Sequence, residues 1–480
     1  MNPWIRWRDD EAETEPGWRW LAEWVAMPAL LATPARPLAE MGEPASHLDD
    51  AAREKLIALL GMERVKLDLA TRALHASSSL ADALRVRTGD LTHLPDAVLY
   101  PRNPEEVVTL LGLCAAADVA VVTFGSNTPL QRRSHAALVS LNLAALSHLI
   151  SVDPMSGLAK AEAGITADEL ARQLAAQGMM LKGEIEGSLG GHIAQNGQVP
   201  WLQDVRLATP EGPVSSARIG VSALGAFGII TSASIRIRAL PAKTDYRRYL
   251  FADFAGGLAA LREAQRQGLS RAGAFLSDAG ETRFLHQIDQ IGRPKTLSQR
   301  LIALYRQIRH FDREAAALTI GFSGTDTEAD AARRRFDSLA KRLGALALGP
   351  CRPQNNDYRE MLLDRGLAMD WVETTADWSK LPGVYAAMRA GLDRAMRAQV
   401  PRPGAHGLVL VRVSNACHEG AKLRFTILYP RMLGSDVVQA ETIRQAGLKA
   451  LADLAGPQDA LEAKLAASIK QTLDPKNILL

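Results

Sequence analysis

A chain of 480 residues with 47% hydrophobic and 23% charged side chains has room for two or three domains with real cores, which argues against a disordered protein. Basic and acidic residues nearly balance, 56 against 53, for a formal charge of +3, so the basic face of a nucleic-acid binder is not expected. Cys114, Cys351 and Cys417 are the three cysteines, and their wide, unpaired spacing points to neither a disulfide framework nor a zinc site; a reducing, cytoplasmic setting is the expectation. Asp9, Asp10, Glu11, Glu13 and Glu15 precede any apolar stretch, unlike a signal peptide, and no apolar run is long enough to span a bilayer.

In chain order, residues 1–90 read as a helical lead-in that holds Trp4, Trp7, Trp18, Trp20 and Trp24, five of the eight tryptophans. Such large rings are expected to clamp the segment onto another domain or subunit, with an interaction surface as the alternative. From Asp96 strands and helices alternate. "DAVLYP" is strand-like, and Asn103, Pro104, Glu105 and Glu106 supply an N-cap, a proline at the first helical position and first-turn acids. The next helix leads to the strand "VAVVTF", which completes a βαβ unit over 97–124 and turns at Gly125. "HLISVDPMSGLAKAEAG" reads as a hairpin about Asp153 to Gly157, and Thr166 with Glu169 as a capping box for a helix that stops at Gly178. "VRLATP" and "GIITSASIRIRAL" are further strands, and "DVVQAETIRQAGLKALADLAG" is helical. No histidine pair has metal-ligand spacing, so no metal site is expected.

The skeleton of residues 96–240 resembles the FAD-binding domain of the vanillyl-alcohol oxidase superfamily, and "REMLLDRGLAMDWVETTADWSKLPGVYAAMRAGL", "VRVSNACHEGAKLRFTILYP" and "IKQTLDPKNIL" are similar to the alkyl-dihydroxyacetonephosphate synthase family. The resemblance spans roughly residues 90–480. It implies an α+β fold: a two-subdomain FAD-binding domain of the PCMH type at 91–240, a cap (substrate) domain with an antiparallel sheet at 241–456, and a tail at 457–480 that returns to the FAD domain.

The same resemblance places the cofactor and catalytic positions. Gly125, Ser126, Asn127 and Thr128 stand where the family has a glycine-rich loop whose N–H groups cradle the FAD pyrophosphate. One glycine survives there, followed by Pro129, which has no N–H; Arg132 and Arg133 offer charge instead, or are simply solvated. Gly190 and Gly191 match the block that passes close to the flavin, and Gly225 and Gly228 the turn near its adenine end. Arg359 falls at the arginine that meets an anionic substrate. Arg424 falls at the family's tyrosine, and the run of three histidines has no counterpart, since no histidine lies between Tyr429 and Leu473.

Two functions are expected on these grounds. One is a flavoprotein that holds FAD weakly through these residues and works, with altered or impaired catalysis, on an anionic or lipid-like small molecule. The other is a flavin-free pseudoenzyme that serves as a partner subunit, as a homodimer or with a paralogue.

Overall fold

The computed structural model describes residues 11–76, 79–124, 135, 137–197, 201–216, 225, 227–290, 314–352, 359–455 and 460–479. Its contacts divide the chain into two units, Ala35–Leu240 with Pro457–Leu480, and Met1–Pro34 with Pro241–Gly456. The lead-in expected as one segment over 1–90 is therefore shared between them. The physical reason lies in its cores: Trp18, Leu21 and Val25 are buried with Leu367, Leu408 and Leu428, whereas Leu56 and Leu60 are buried with Val107, Val121 and Val139. Pro34 and Pro37 stand where the chain passes from one to the other.

In the first unit the strands Ala97–Leu99 and Val119–Thr123 both pair in parallel with Ala137–Leu141, which lies between them. The expected βαβ unit is thus present with a third strand inserted at its centre, and Val65–Lys66 closes the far edge antiparallel to Ala97–Leu99. The helix Pro104–Ala116 begins as the sequence implies, the Asn103 side chain accepting from the Glu106 N–H at 2.8 Å. Asp96, fully buried, fixes the entry to this sheet by accepting from the N–H groups of His47 and Leu138, each at 2.8 Å. A second sheet runs in the order Leu149–Asp153, Leu158–Glu162, Ile229–Ala239, Leu202–Thr209, Gly212–Ser215, and Met179–Leu181 also pairs with Ile229–Ala239. The first two strands form the expected hairpin. Thr166 caps its helix by accepting from the Glu169 N–H, but the Glu169 carboxylate turns to Arg172 and Gln173, so the box is only half made. A full capping box occurs instead at Thr325 and Glu328.

The C-terminal tail is tied to this unit through Asp474, whose carboxylate accepts from the Ile478 and Leu479 N–H groups at 2.9 and 3.0 Å. The carbonyl of Ile478 then accepts from the Val121 N–H at 2.8 Å, next to an isolated parallel bridge between Val121 and Leu479.

The second unit is built on a seven-stranded sheet in the order Leu346–Pro350, Lys243–Phe251, Ala316–Gly324, Ala274–Ser277, Leu408–Ser414, Gly420–Pro430, Leu367–Asp377, with every pairing antiparallel. Side chains alternate across such a sheet. One face carries Tyr249, Leu318, Leu276, Val413 and Leu423, all fully or nearly fully buried, along one cross-strand row. The other face carries the apolar Leu408, Leu410, Leu428 and Met369, packed with the helix Glu11–Trp24, and beyond them a charged patch. The tryptophans of that helix serve as packing: Trp20 and Trp24 lie 4.8 Å apart, with the Arg283 guanidinium 5.4 Å over Trp24. Asp96→Ala would leave the buried Leu138 N–H without this acceptor, at about 1–3 kcal/mol, and would also release the part-buried His47 N–H. It is expected to lower the first unit's stability by about 2 kcal/mol or more in urea-monitored unfolding, and a shift under about 0.5 kcal/mol would refute that role for the carboxylate.

Candidate functional site

Because Ala97–Leu99, Val119–Thr123 and Ala137–Leu141 are mutually parallel, their C-terminal ends meet at one edge, where ligands of open α/β sheets characteristically bind. The residue just beyond each strand carries a ring or an amide: Tyr100, Phe124 and Asn142. His75, 1% exposed at the end of the helix Leu69–His75, fits among them. Its Nδ1 faces the Thr71 carbonyl at 2.8 Å, so it donates there, and its Nε2 lies 3.0 Å from the Asn142 amide nitrogen, so it accepts there. That pattern belongs to the neutral ring. Burial pushes the His75 imidazole below its ordinary value, outweighing the Thr71 bond. Phe124 lies 4.2 Å from the His75 ring and Tyr100 meets it edge-on at 5.9 Å. Burial, with the Asp68 charge, raises the Tyr100 hydroxyl above its ordinary value. Phe124 remains 41% exposed, and the buried Ser140 Oγ, one strand position before the loop that holds Asn142, has no hydrogen-bond partner among the described residues.

None of these residues was singled out by sequence reasoning. Each of the three strand-end residues sits one position after an apolar strand, which is the one signal that marks them. Gly125, Ser126, Asn127 and Thr128, with Arg132 and Arg133, lie outside the described residues.

The glycine block at 190 is described, and its backbone is engaged. Ser188 caps the helix Leu189–Asn196 by accepting from the Gly191 N–H at 3.2 Å; the N–H of Gly190 bonds Ala163 O at 2.7 Å, and that of Leu189 bonds Ile165 O at 2.9 Å. A Cβ at Gly190 would lie 2.8 Å from the Ala163 Cβ, one at Gly225 3.2 Å from the Ala194 Cβ, and one at Gly228 2.8 Å from the Ala208 carbonyl. Gly190 and Gly228 are thus required for close backbone packing, and the N–H groups of Gly190 and Gly191 are not open to an anion.

In the second unit the charged patch is a row across four elements. Glu373 stands opposite Arg424, and Arg424 opposite Arg412. Arg424 Nε donates to Glu373 Oε1 at 2.5 Å, Lys422 Nζ to Glu373 Oε2 at 2.8 Å, and Arg412 Nε to Glu281 Oε1 at 2.9 Å. Burial pushes the Glu373 carboxyl up, but Arg424 and Lys422 together outweigh it and hold it below the usual carboxylate range. Trp371 lies beneath the Arg424 guanidinium at 5.7 Å. Arg359 opens the helix Arg359–Leu363, and its side chain lies outside the described residues.

On the opposite face of the sheet, a cleft of about 400 Å³ is lined by Arg247, Tyr249, Arg333, Asp337, Lys341 and small residues, with Tyr249 bonded to Asp337 and Arg247 to Asp245. Among the described residues no group of three or more His, Cys, Asp or Glu side chains is placed to hold a metal ion, and no helix is long and apolar enough to cross a membrane.

Residues 95–203 match the family of the FAD binding domain, and residues 240–427 that of the C-terminal domain of FAD linked oxidases. Together the two matches support a PCMH-type FAD-linked oxidase with FAD as its cofactor. The chain is similar to alkyldihydroxyacetonephosphate synthases: 25% identical over 68% of this chain to that of Trypanosoma brucei brucei, and 25% over 83% to that of Dictyostelium discoideum. The chain spans 59% and 71% of those two relatives. A solved alkyldihydroxyacetonephosphate synthase superposes with a TM-score of 0.76 at 22% identity, over 94% of this chain and 89% of the other. p-Cresol methylhydroxylase superposes at 0.64 and 15%, over 89% and 95%. The strand-end cluster fits such a cofactor: the exposed Phe124 face suits a planar ring, and the unpartnered Ser140 hydroxyl and the Tyr100 and Asn142 side chains are polar groups at the same edge.

The neutral His75 leads to a pH prediction. Its folded pKa lies below its unfolded value near ~6.5, so the unfolded chain takes up a proton first as pH falls, and stability is lost from about pH 6.5 downward. Melting temperatures measured from pH 8 to 5 are expected to decline over that window. The decline should flatten in His75→Gln, and an unchanged slope in that variant would show that His75 does not contribute.

Proposed function

We propose that the protein is an FAD-dependent protein of the alkyldihydroxyacetonephosphate synthase type with altered or impaired acid–base chemistry, acting on an anionic, lipid-like small molecule. One observation carries this reading. At the position matching the family's tyrosine stands Arg424, bonded to Glu373 at 2.5 Å. A guanidinium with a pKa above ~12 neither gives up nor accepts a proton near neutrality, so the step that a phenol would perform has no agent there. The absence of histidine between Tyr429 and Leu473 supports the same conclusion.

FAD, when bound, supplies a redox-active ring. The residues that would hold it are Tyr100, Phe124 and Asn142, with His75 keeping Asn142 oriented. Arg359 is the residue we assign to the substrate's anionic group, by its match to the family's arginine. The engaged N–H groups of Gly190 and Gly191 favour weak retention of the cofactor. They also favour a second reading, a partner subunit that works without flavin, alone as a homodimer or with a paralogue.

Protein purified without added FAD is expected to carry well under one flavin per chain. Excess FAD should raise its melting temperature only slightly, since stabilisation scales as RT ln(1 + [L]/Kd). A yellow protein that keeps one FAD per chain through gel filtration would overturn weak binding. Arg424→Tyr should produce no alkyl synthase turnover, and should lower stability by about 1–3 kcal/mol because Glu373 keeps Lys422 alone as its described partner. Turnover regained by that one substitution would refute the reading of Arg424.

A further inference from the structure

The charged row on the antiparallel sheet has the make-up of an anion site whose anion belongs to the protein. Lys422 and Arg424 stand two residues apart on one strand, so both point to the same face, and both converge on the two oxygens of a single carboxylate, Glu373. The three side chains are only 5%, 19% and 15% exposed. Two cations closing on a pair of oxygens is the arrangement by which proteins grip the oxygens of a phosphate, a sulfate or a ligand carboxylate.

Charge in the row is tightly apportioned. Arg412 lies directly across from Arg424, a pairing of like charges that is unfavourable on adjacent strands unless each is compensated. Glu373 compensates one side and Glu281 the other. Removal of Glu373 would take away the carboxylate that Lys422 and Arg424 share. The row is also not a closed network: Ser277 Oγ, opposite Arg412 in register, and Glu281 Oε2 are both buried without a hydrogen-bond partner among the described residues.

We propose that Glu373 is a built-in anion that sets the anion specificity of this face: it occupies the grip of Lys422 and Arg424, so an oxyanion group of a ligand binds there only by displacing it. The proposal rests on the reading that this face meets an anionic substrate. It deepens that reading by making Glu373 the residue that discriminates against oxyanions at Arg424.

Sulfate is the probe, titrated calorimetrically into the full chain at low ionic strength and neutral pH. Wild type is expected to bind it weakly, and Glu373→Gln about tenfold more tightly, equivalent to ~1.4 kcal/mol. The double variant Glu373→Gln with Arg424→Gln should lose that gain. Glu373→Asp keeps the charge on a shorter stem, protects the fold and should give a smaller gain of about threefold. The proposal is overturned if the Gln and Asp variants, whichever of them fold by circular dichroism, bind sulfate no more tightly than wild type, or if the gain survives in the double variant. Flavin absorbance read on the same preparations separates the two questions: a colourless protein bears on the cofactor reading alone, since the sulfate titration does not need flavin.

Discussion

The eleven-residue antiparallel pairing of Leu367–Asp377 with Gly420–Pro430 runs from Leu367 opposite Pro430 to Asp377 opposite Gly420 without a register shift, and the chemistry of the second unit depends on it. A slip of one residue would exchange the two faces of a strand. Here that would carry Arg424 into the place of Phe425 and Leu423, both 0% exposed. The desolvation of an unpaired charge far exceeds what any single ion pair returns, so burial of the apolar set fixes the register and the ion pairs form as a result. The same alternation continues to Met369 and Leu428, whose side chains meet the tryptophan-bearing helix Glu11–Trp24. One register thus sets both the apolar end of the face and its charged end.

In the first unit, the buried carboxylates of Asp96 and Asp474 hold backbone N–H groups, and Asp474 also pairs with Lys470. Asp96 ties the 47 segment to the strand Ala137–Leu141, and Asp474 folds the C-terminal tail so that Ile478 reaches Val121. Such bonds anchor the parallel strands at their starts and middle. The residue after each strand is then presented at one edge, and the cluster of His75, Tyr100, Phe124 and Asn142 is a consequence of that placement. The glycines at 190 and 228 serve a related purpose, since each removes a Cβ that would strike a neighbouring backbone or methyl group. Anion binding by a helix N-terminus requires open N–H groups, and at Leu189–Asn196 the first turn is already satisfied within the protein.

Much of this architecture was legible in the amino-acid order, because local signals dictate local structure. Asn103-Pro104 starts its helix, Asp153 to Gly157 turns its hairpin, and the alternation in 229–239 gives a strand. Arg424 could be placed from the sequence blocks that flank it, and its need for a buried counter-charge is a matter of elementary electrostatics. Which carboxylate meets that need could not be read: Glu373 is 51 residues away, and only strand pairing makes the two neighbours. Arg412 and Glu281, 131 residues apart, are the same case.

The division of the lead-in, the insertion of Ala137–Leu141 between the two strands of the βαβ unit, and the half-made box at Thr166 were likewise decided by tertiary context. Sequence by itself determined many of the elements and the α+β class, since these depend on spacing and residue type along a few turns or strands. Tertiary structure alone decided which charges are paired, which glycine N–H groups are engaged and which side chains meet at the strand ends. Those outcomes depend on long-range packing, where the cost of burying apolar and charged groups is shared among segments that no local pattern connects.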